Sequence, residues 1–381
     1  MTRVVIRVDA SLLMGSGHVM RCRTLARQLR RNGADVLLIC RQQPGDLIAL
    51  LEQEFAVLAL PELFLRGMKH SESPSSDARQ LYRTWLGCTQ DQDASESLAI
   101  LAEAGLPSPD WLVVDHYGLD VCWQQHFLGG LASTSHTRLL VIDDLADRQH
   151  IADILLDQNF FAGITHQRYQ GLLLKKSIQL LGPKYALLSS EYAILHSLLP
   201  ARTTLRRILI FFGGVDADNA TSWALKALMD PHFAHLEVDI VLGHHAPHRV
   251  CVAELVTHRP LTTLHEPLPC LAGLMARADL AIGAGGSTTW ERACLGLPSI
   301  VLTLSANQSA INQALASEKL IISLGESAME ESTSLHDALL MLLNNSGRYH
   351  SLSRATRLLA DGLGAQRVVD AMSSISLTSQ S

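Results

Sequence analysis

Short β-branched runs that end in a glycine turn and open into a helix recur along this chain, and that recurrence points to parallel α/β architecture. Residues 4–8 read as a buried strand, and from His18 to Arg31 the apolar residues Val19, Cys22, Leu25, Ala26 and Leu29 fall at helical spacing. Between them lies Asp9-Ala-Ser-Leu-Leu-Met-Gly-Ser-Gly-His18, a strand-to-helix turn whose free backbone N–H groups attract anions. Strand signals at 36–39, 56–60, 111–114, 139–142 and 154–156 alternate with helical ones near 48–51 and 121–128, the rhythm of a doubly wound sheet.

The rhythm lapses over residues 160–205, where Gly163, Gly171, Gly182-Pro183 and Pro200 suggest a connection with a short helix near 189–199. It then restarts. Strands are expected at 207–212, 238–242, 271–276, 280–282, 300–304 and 320–323, and helices at 217–229, 250–256, 287–295 and 308–318. Residues 335–343 and 353–372 are helix-like, and the Ser-rich end is expected to fray. With 381 residues, two domains are the natural division: 1–160, a connection at 161–205, 206–345, and a helical tail at 346–381.

A net charge of -6 leaves no electrostatic footprint for nucleic acid, and the cluster Arg27, Arg30, Arg31 reads as a solvated helix face. The chain opens on a strand without a signal-peptide pattern and has no apolar stretch of roughly 18 residues, so a cytoplasmic protein without membrane insertion is expected. Seven cysteines without a C-x-x-C pair fit reduced thiols, Cys22 and Cys294 on apolar helix faces among them. No cofactor or metal is called for. His244, His245 and His248 form a turn without an accompanying acid or cysteine at ligand spacing and read as a surface loop. The oligomeric state stays open, a monomer being the favoured reading.

The opening turn is no dinucleotide fingerprint, because Met20 stands where a third glycine is needed and no acidic residue ends the second strand. His18, on the first helical turn, is either a capping residue or a general base. Asp9 either braces its loop or faces the ligand; Gly17 allows close approach, and Arg21 stands one turn further on. Asp115-His116-Tyr117-Gly118 and Asp143-Asp144 come directly after strands whose carboxyl ends share that rim, where ligands of open α/β sheets bind. In the second half, Gly213-Gly214-Val215-Asp216 and Gly285-Gly286-Ser287-Thr288 make two further strand-to-helix turns suited to phosphate oxygens. Glu291, one turn beyond Ser287, is placed to accept from ribose hydroxyls, and Asn307-Gln308 to cap a helix or bond an acylamino group.

Taken together, Arg7-Val8-Asp9-Ala10-Ser11 with Gly15-Ser16-Gly17-His18, Asp115-His116-Tyr117-Gly118, Ile142-Asp143-Asp144, Asp153-Ile154-Leu155-Leu156, Gly213-Gly214-Val215-Asp216 and Asn307-Gln308 give the chain its family likeness. It resembles the UDP-2,4-diacetamido-2,4,6-trideoxy-β-L-altropyranose hydrolases of pseudaminic acid biosynthesis, which serve flagellin glycosylation or surface polysaccharide. That family is similar in fold to the glycosyltransferases of the lipid-linked peptidoglycan disaccharide. The resemblance implies a GT-B fold: two doubly wound Rossmann-like domains facing a central cleft. It also implies His18 as catalytic base, Tyr117 and Asn307 lining the sugar site, and UDP held in the second domain, at Gly213, Gly214, Gly286, Ser287, Thr288 and Glu291. Asp9, Gly17, Arg21 and Gln308 complete the expected substrate contacts. The expected reaction is hydrolysis at the anomeric carbon with inversion, releasing UDP; the alternative is a GT-B glycosyltransferase using a UDP-amino sugar. Residues 64–92 have no counterpart in the family pattern, and the tail beyond Leu335 is longer.

Overall fold

The computed structural model describes residues 1–63, 82–132, 136–243, 246–326, 328–329 and 333–378. The expected Ser-rich stretch at 70–77, His244 and His245 lie outside them, as does the Asn307 side chain. The chain divides into two units: residues 1–158, 164–181 and 365–381, and residues 159–163 and 182–364.

The first unit is built on a seven-stranded sheet of order β3-β2-β1-β4-β5-β6-β7, every neighbouring pair parallel. Its strands are β1 (Arg3–Val8), β2 (Asp35–Arg41), β3 (Ala56–Leu60), β4 (Trp111–Asp115), β5 (Arg138–Ile142), β6 (Ile154–Asp157) and β7 (Ile178–Leu181). Helices α1 (Gly17–Arg31), α2 (Ile48–Glu52), α3 (Gln90–Glu103) and α4 (Val121–Gly130) connect them. A parallel sheet is covered on both faces, and the continuous burial of Val4 to Val8 and Trp111 to Asp115 is what such cover requires. One core layer gathers Val5, Leu112, Trp123, Phe127 and Leu155. β7 comes from the stretch expected to be a connection; with only Leu180 and Leu181 buried on an edge strand, its apolar signal is too short to stand out.

The second unit repeats the plan with six strands in the order β10-β9-β8-β11-β12-β13. They are β8 (Arg207–Phe211), β9 (Glu237–Val241), β10 (Thr262–His265), β11 (Leu280–Ala284), β12 (Ser299–Leu302) and β13 (Ile322–Gly325). Its helices are α5 (Ser190–Leu198), α6 (Ala220–Ala227), α7 (Arg249–Thr257), α8 (Ala272–Arg277), α9 (Thr288–Cys294), α10 (Ala306–Ser317), α11 (Ser334–Asn344) and α12 (Ser346–Arg357). Two expectations are corrected. Residues 271–276 form α8, not a strand, because Leu271, Leu274, Met275 and Ala278 bury one helical face, and the edge strand is the polar Thr262–His265. The helical tail is two helices, α12 and α13 (Gly364–Thr378), not one across 353–372. The break falls at Gly362, whose φ of +82° suits glycine and whose missing Cβ makes room for the Ala193 backbone. Beyond it, Ala365, Val368, Val369 and Met372 are buried, and α13 groups with the first unit, where Gln366 meets Gln28 of α1.

In each sheet the strand order reverses at one point, between β1 and β4 in the first and between β8 and β11 in the second. Loops leaving the carboxyl ends of strands at such a switch point part to opposite faces and leave a crevice. All the motifs singled out before residue 120 leave β1 or β4, and both glycine turns of the second half leave β8 or β11. No helix among the described residues is long and apolar enough to cross a membrane.

Candidate active site

His18 is held by the sheet itself. Val8, the last residue of β1, pairs with Asp115, the last of β4, so the turn that delivers His18 to the start of α1 stands beside the Asp115 carboxylate. Gly15, with φ of +75°, closes that turn by donating its N–H to the Ser11 carbonyl at 2.8 Å. His18 Nδ1 lies 2.6 Å from Asp115 Oδ1 and 3.2 Å from Arg21 Nη2; the shorter contact is to a carboxylate that only accepts, and Arg21 Nη2 has Asp115 at 2.6 Å for its own proton, which assigns a proton to Nδ1. Nε2 is then the basic nitrogen, and it has no hydrogen-bond partner among the described residues. The Tyr117 ring packs edge-on against the imidazole at 4.5 Å and prevents it from swinging.

Asp115 is wholly buried and is also gripped by Arg21, which donates Nε and Nη2 to its two oxygens at 2.6 Å each. Burial alone would raise this carboxyl, but Arg21 and His18 outweigh it and hold it well below the usual carboxylate range. Arg21 Nη1 reaches Asp144 at 2.7 Å, and Asp144 accepts from the Tyr117 hydroxyl at 2.6 Å. Burial and then the Asp144 charge push that phenol well above its ordinary value, so it stays a donor. With His18 unprotonated, this cluster carries two carboxylates against one guanidinium, a net charge of -1. A net negative rim disfavours a diphosphate there.

A second layer below holds the first in place. Arg7 binds Asp9 and, through two nitrogens, Asp93; Arg41 adds a bond to Asp93 at 2.7 Å, as does Trp123 at 2.9 Å. Arg41 also meets the partly exposed Glu96 carboxylate at 2.7 Å, so the buried aspartates and arginines are all paired, the condition for keeping ions in a dry interior. Asp9 is tied into this layer: its Oδ1 also accepts from the Arg41 amide at 2.7 Å, and the residue is 0% exposed. His116 Nδ1 accepts from the Gly118 amide, and burial lowers its pKa to about 4, so it is neutral. Asp143 is likewise structural, meeting Arg148, the Tyr169 hydroxyl and the Ala146 amide. Of the tandem aspartates, only Asp144 turns to the site. Arg27 is no merely solvated residue either, since with Arg23 it clamps Glu54 and lowers that carboxyl to about 2.

Three groups were missed in the sequence. Asp144 was one of an undivided pair, and Tyr82 and Trp85 come from the stretch without a family counterpart. Their rings lie 5.1 and 5.9 Å from that of Tyr117, Trp85 nearly parallel to it, and they extend an aromatic wall away from His18. An aromatic face of this kind suits the apolar side of a sugar.

The rim of the second unit is of another kind. Gly213 takes φ of +110°, and Cβ atoms at Gly243, Gly283 and Gly285 would collide with the Gly214 carbonyl, the Phe211 carbonyl and the Asn312 amide respectively. Gly286 faces open space, and Ser287 makes no side-chain cap to α9, so backbone and hydroxyl are both accessible for a ligand. Asp216, by contrast, is used up in receiving the Ala220 and Thr221 amides at 2.9 and 3.0 Å. Beneath the loop, Arg292 is buried without a carboxylate in salt-bridge range among the described residues; it donates to the Ala284 carbonyl at 2.8 Å, and burial lowers it to about 10. Burial raises Glu291 despite Tyr192 and Arg292 nearby. Gln308 Oε1 accepts from the Leu304 amide at 3.2 Å, an N-terminal capping bond for α10.

No family model matches the chain. Over 188 residues it is 28% identical to the spore coat polysaccharide biosynthesis protein SpsG of Bacillus subtilis (strain 168), a match covering 49% of this chain and 56% of that protein. The chain spans about half the length of the curated relatives it matches. Among solved structures, MurG of Acinetobacter baumannii matches with a TM-score of 0.61 at 16% identity, over 97% of this chain and 99% of that one. The spinosyn rhamnosyltransferase SpnG complexed with thymidine diphosphate matches with a TM-score of 0.59 at 21% identity, over 97% and 99%. These likenesses and the two parallel-sheet units show that the chain has the GT-B fold.

Proposed function

We propose that this chain is a nucleotide-sugar enzyme of polysaccharide or glycoconjugate biosynthesis, in which His18 removes a proton from the group that attacks the anomeric carbon. The observation that carries this reading is the His18–Asp115 pair at the first switch point. Asp115 fixes the tautomer and stabilises the imidazolium that forms, as the carboxylate of a catalytic triad does. A nucleoside diphosphate is already a good leaving group, so one base suffices where ordinary glycosidases need two carboxylates. The second unit takes the nucleotide, with Gly213, Gly214, Gly286, Ser287 and Thr288 at the diphosphate and Glu291 accepting from the ribose. On the sugar side, Gly17, Arg21 and Tyr117 are the contacts of the first unit; Asn307 and Gln308 are assigned to the rim of the second.

Transfer to an acceptor hydroxyl is the reading that the glycosyltransferase structures and the spore coat polysaccharide relative support better. Water as the acceptor is the second reading, favoured by the motifs shared with the UDP-diacetamido-trideoxy-sugar hydrolases, from Gly15-Ser16-Gly17-His18 to Asn307-Gln308. A panel of UDP-linked acetamido sugars, followed by phosphorus NMR in heavy-oxygen water, tests both. Release of UDP only with an added acceptor supports transfer; acceptor-free release with label on the sugar supports hydrolysis. Label on a phosphate, with UMP formed, would sink both, as would tight binding without turnover.

A further inference from the structure

The turn that enters β9 and the first turn of α11 bring two imidazoles and a carboxylate together, apart from the glycine rim. Asp230 Oδ1 lies 2.7 Å from His232 Nδ1, and its Oδ2 lies 3.3 Å from His336 Nε2. One ligand atom from each residue can be chosen so that all lie within 4.8 Å of one another. Ligands each about 2.1 Å from a tetrahedral ion stand about 3.4 Å apart, so an ion fits after a small opening of the Asp230–His232 pair.

His336 is also oriented from behind. Its Nδ1 faces Asp337 Oδ1 at 3.4 Å, and Phe233 packs edge-on to the ring at 5.2 Å. A carboxylate on the far nitrogen is the usual support of a metal-bound histidine, because it fixes the tautomer and raises the basicity of the near one. Two imidazole nitrogens and one carboxylate oxygen suit zinc and its first-row neighbours, whereas calcium and magnesium prefer all-oxygen sets. His232 is exposed and Asp230 and His336 are partly so, which leaves a path for the ion and room for water in the remaining position.

We propose that Asp230, His232 and His336 bind one divalent transition-metal ion of the zinc class, which clips the turn before β9 to α11. Phe233 and Leu335, immediate neighbours of two ligands, belong to one core cluster, so the clip tightens that core without entering the chemistry at His18. The competing account of the same contacts is a clasp in which both histidines share the Asp230 carboxylate with no ion.

The test uses the full chain without an affinity tag, stripped with chelator and titrated with zinc chloride at pH 7.5 by calorimetry, with thermal unfolding in parallel. One equivalent is expected to bind and raise the unfolding midpoint. H232A and H336A are each expected to lower affinity at least 10-fold, and D337N, which leaves all three ligands in place, by about 10-fold. H232A alters an exposed side chain and spares the fold, so its effect is separable from unfolding. Absence of stoichiometric binding would overturn the proposal in favour of the clasp, and so would binding that H232A and H336A leave undiminished.

Discussion

The two switch-point rims are made from opposite materials. The first is charged: His18, Arg21, Asp115 and Asp144 in direct contact, over a second tier of Arg7, Asp9, Arg41 and Asp93. The second is glycine backbone and neutral amides over one buried arginine, with Glu291 at its side. Each suits a different task. A group that must gain and lose a proton needs fixed charges that define its tautomer and answer its change of state. A diphosphate needs close N–H groups and a clear approach, which side chains would obstruct. The folds are alike, and the difference lies in the loops that leave the strands.

Asp115→Asn is expected to have the largest effect, because it strikes structure and chemistry together. It leaves Arg21 buried with one partner lost and frees the His18 ring to take the wrong tautomer. Breaking a buried pair costs about 3–5 kcal/mol, read as a fall in urea midpoint, with turnover falling in step. His18→Gln should separate the two effects: turnover down on the order of 100- to 10,000-fold, with the unfolding midpoint and nucleotide affinity near the parent's. Equal losses of turnover and nucleotide affinity would remove His18 from the role of base and erase the contrast between the rims.

Acid should also distinguish the units. His116 and His150, both in the first unit, are pushed by burial to about 4 from the ordinary imidazole value. Between pH ~6.5 and ~4 the unfolded chain binds protons that the folded first unit refuses, so its stability falls as pH falls, by on the order of 3 kcal/mol per histidine. Above pH ~6.5 both states are neutral at these positions and the effect vanishes. Asp93, Asp115 and Asp143 are held below the usual carboxylate range, and their contribution is lost only at still lower pH. Hydrogen exchange across this range is expected to open β1 and β4 before β8 and β11; the reverse order would contradict the comparison.

The smallest effects belong to the second rim. Glu291→Ala is expected to weaken nucleotide binding by about 1.5–3 kcal/mol in calorimetry, with turnover at saturating substrate little changed. An unaltered affinity would leave Glu291 as a partner of Tyr192 alone. Gly285→Ala, which forces a methyl against the Asn312 amide, should cost about 1–3 kcal/mol of stability and lower affinity through the displaced loop.

Much of this was legible in the residues themselves. Strand and helix periodicity, read locally, placed Tyr117, Gly213 and Ser287 on loops leaving strands and His18 on the first turn of the helix that follows one, because alternation and glycine turns are short-range properties. Local pattern failed where burial was partial or supplied from afar: edge strands Thr262–His265 and Ile178–Leu181 carry little apolar signal, and Gly362 interrupts an otherwise continuous helical pattern. Which carboxylate serves which end could not be read from spacing. Asp115 and His18 are 97 residues apart and meet through strand register, while adjacent Asp143 and Asp144 face different partners. The sequence by itself determined two parallel α/β halves, since strand, helix and glycine-turn signals arise from near neighbours in the chain. Only the tertiary structure decided that Asp9 meets Arg7 and the Arg41 amide, that Asp144 and the Tyr82–Trp85 pair stand beside Tyr117, and that Asp230 stands between two histidines, because side-chain pairing depends on contacts that no local rule encodes.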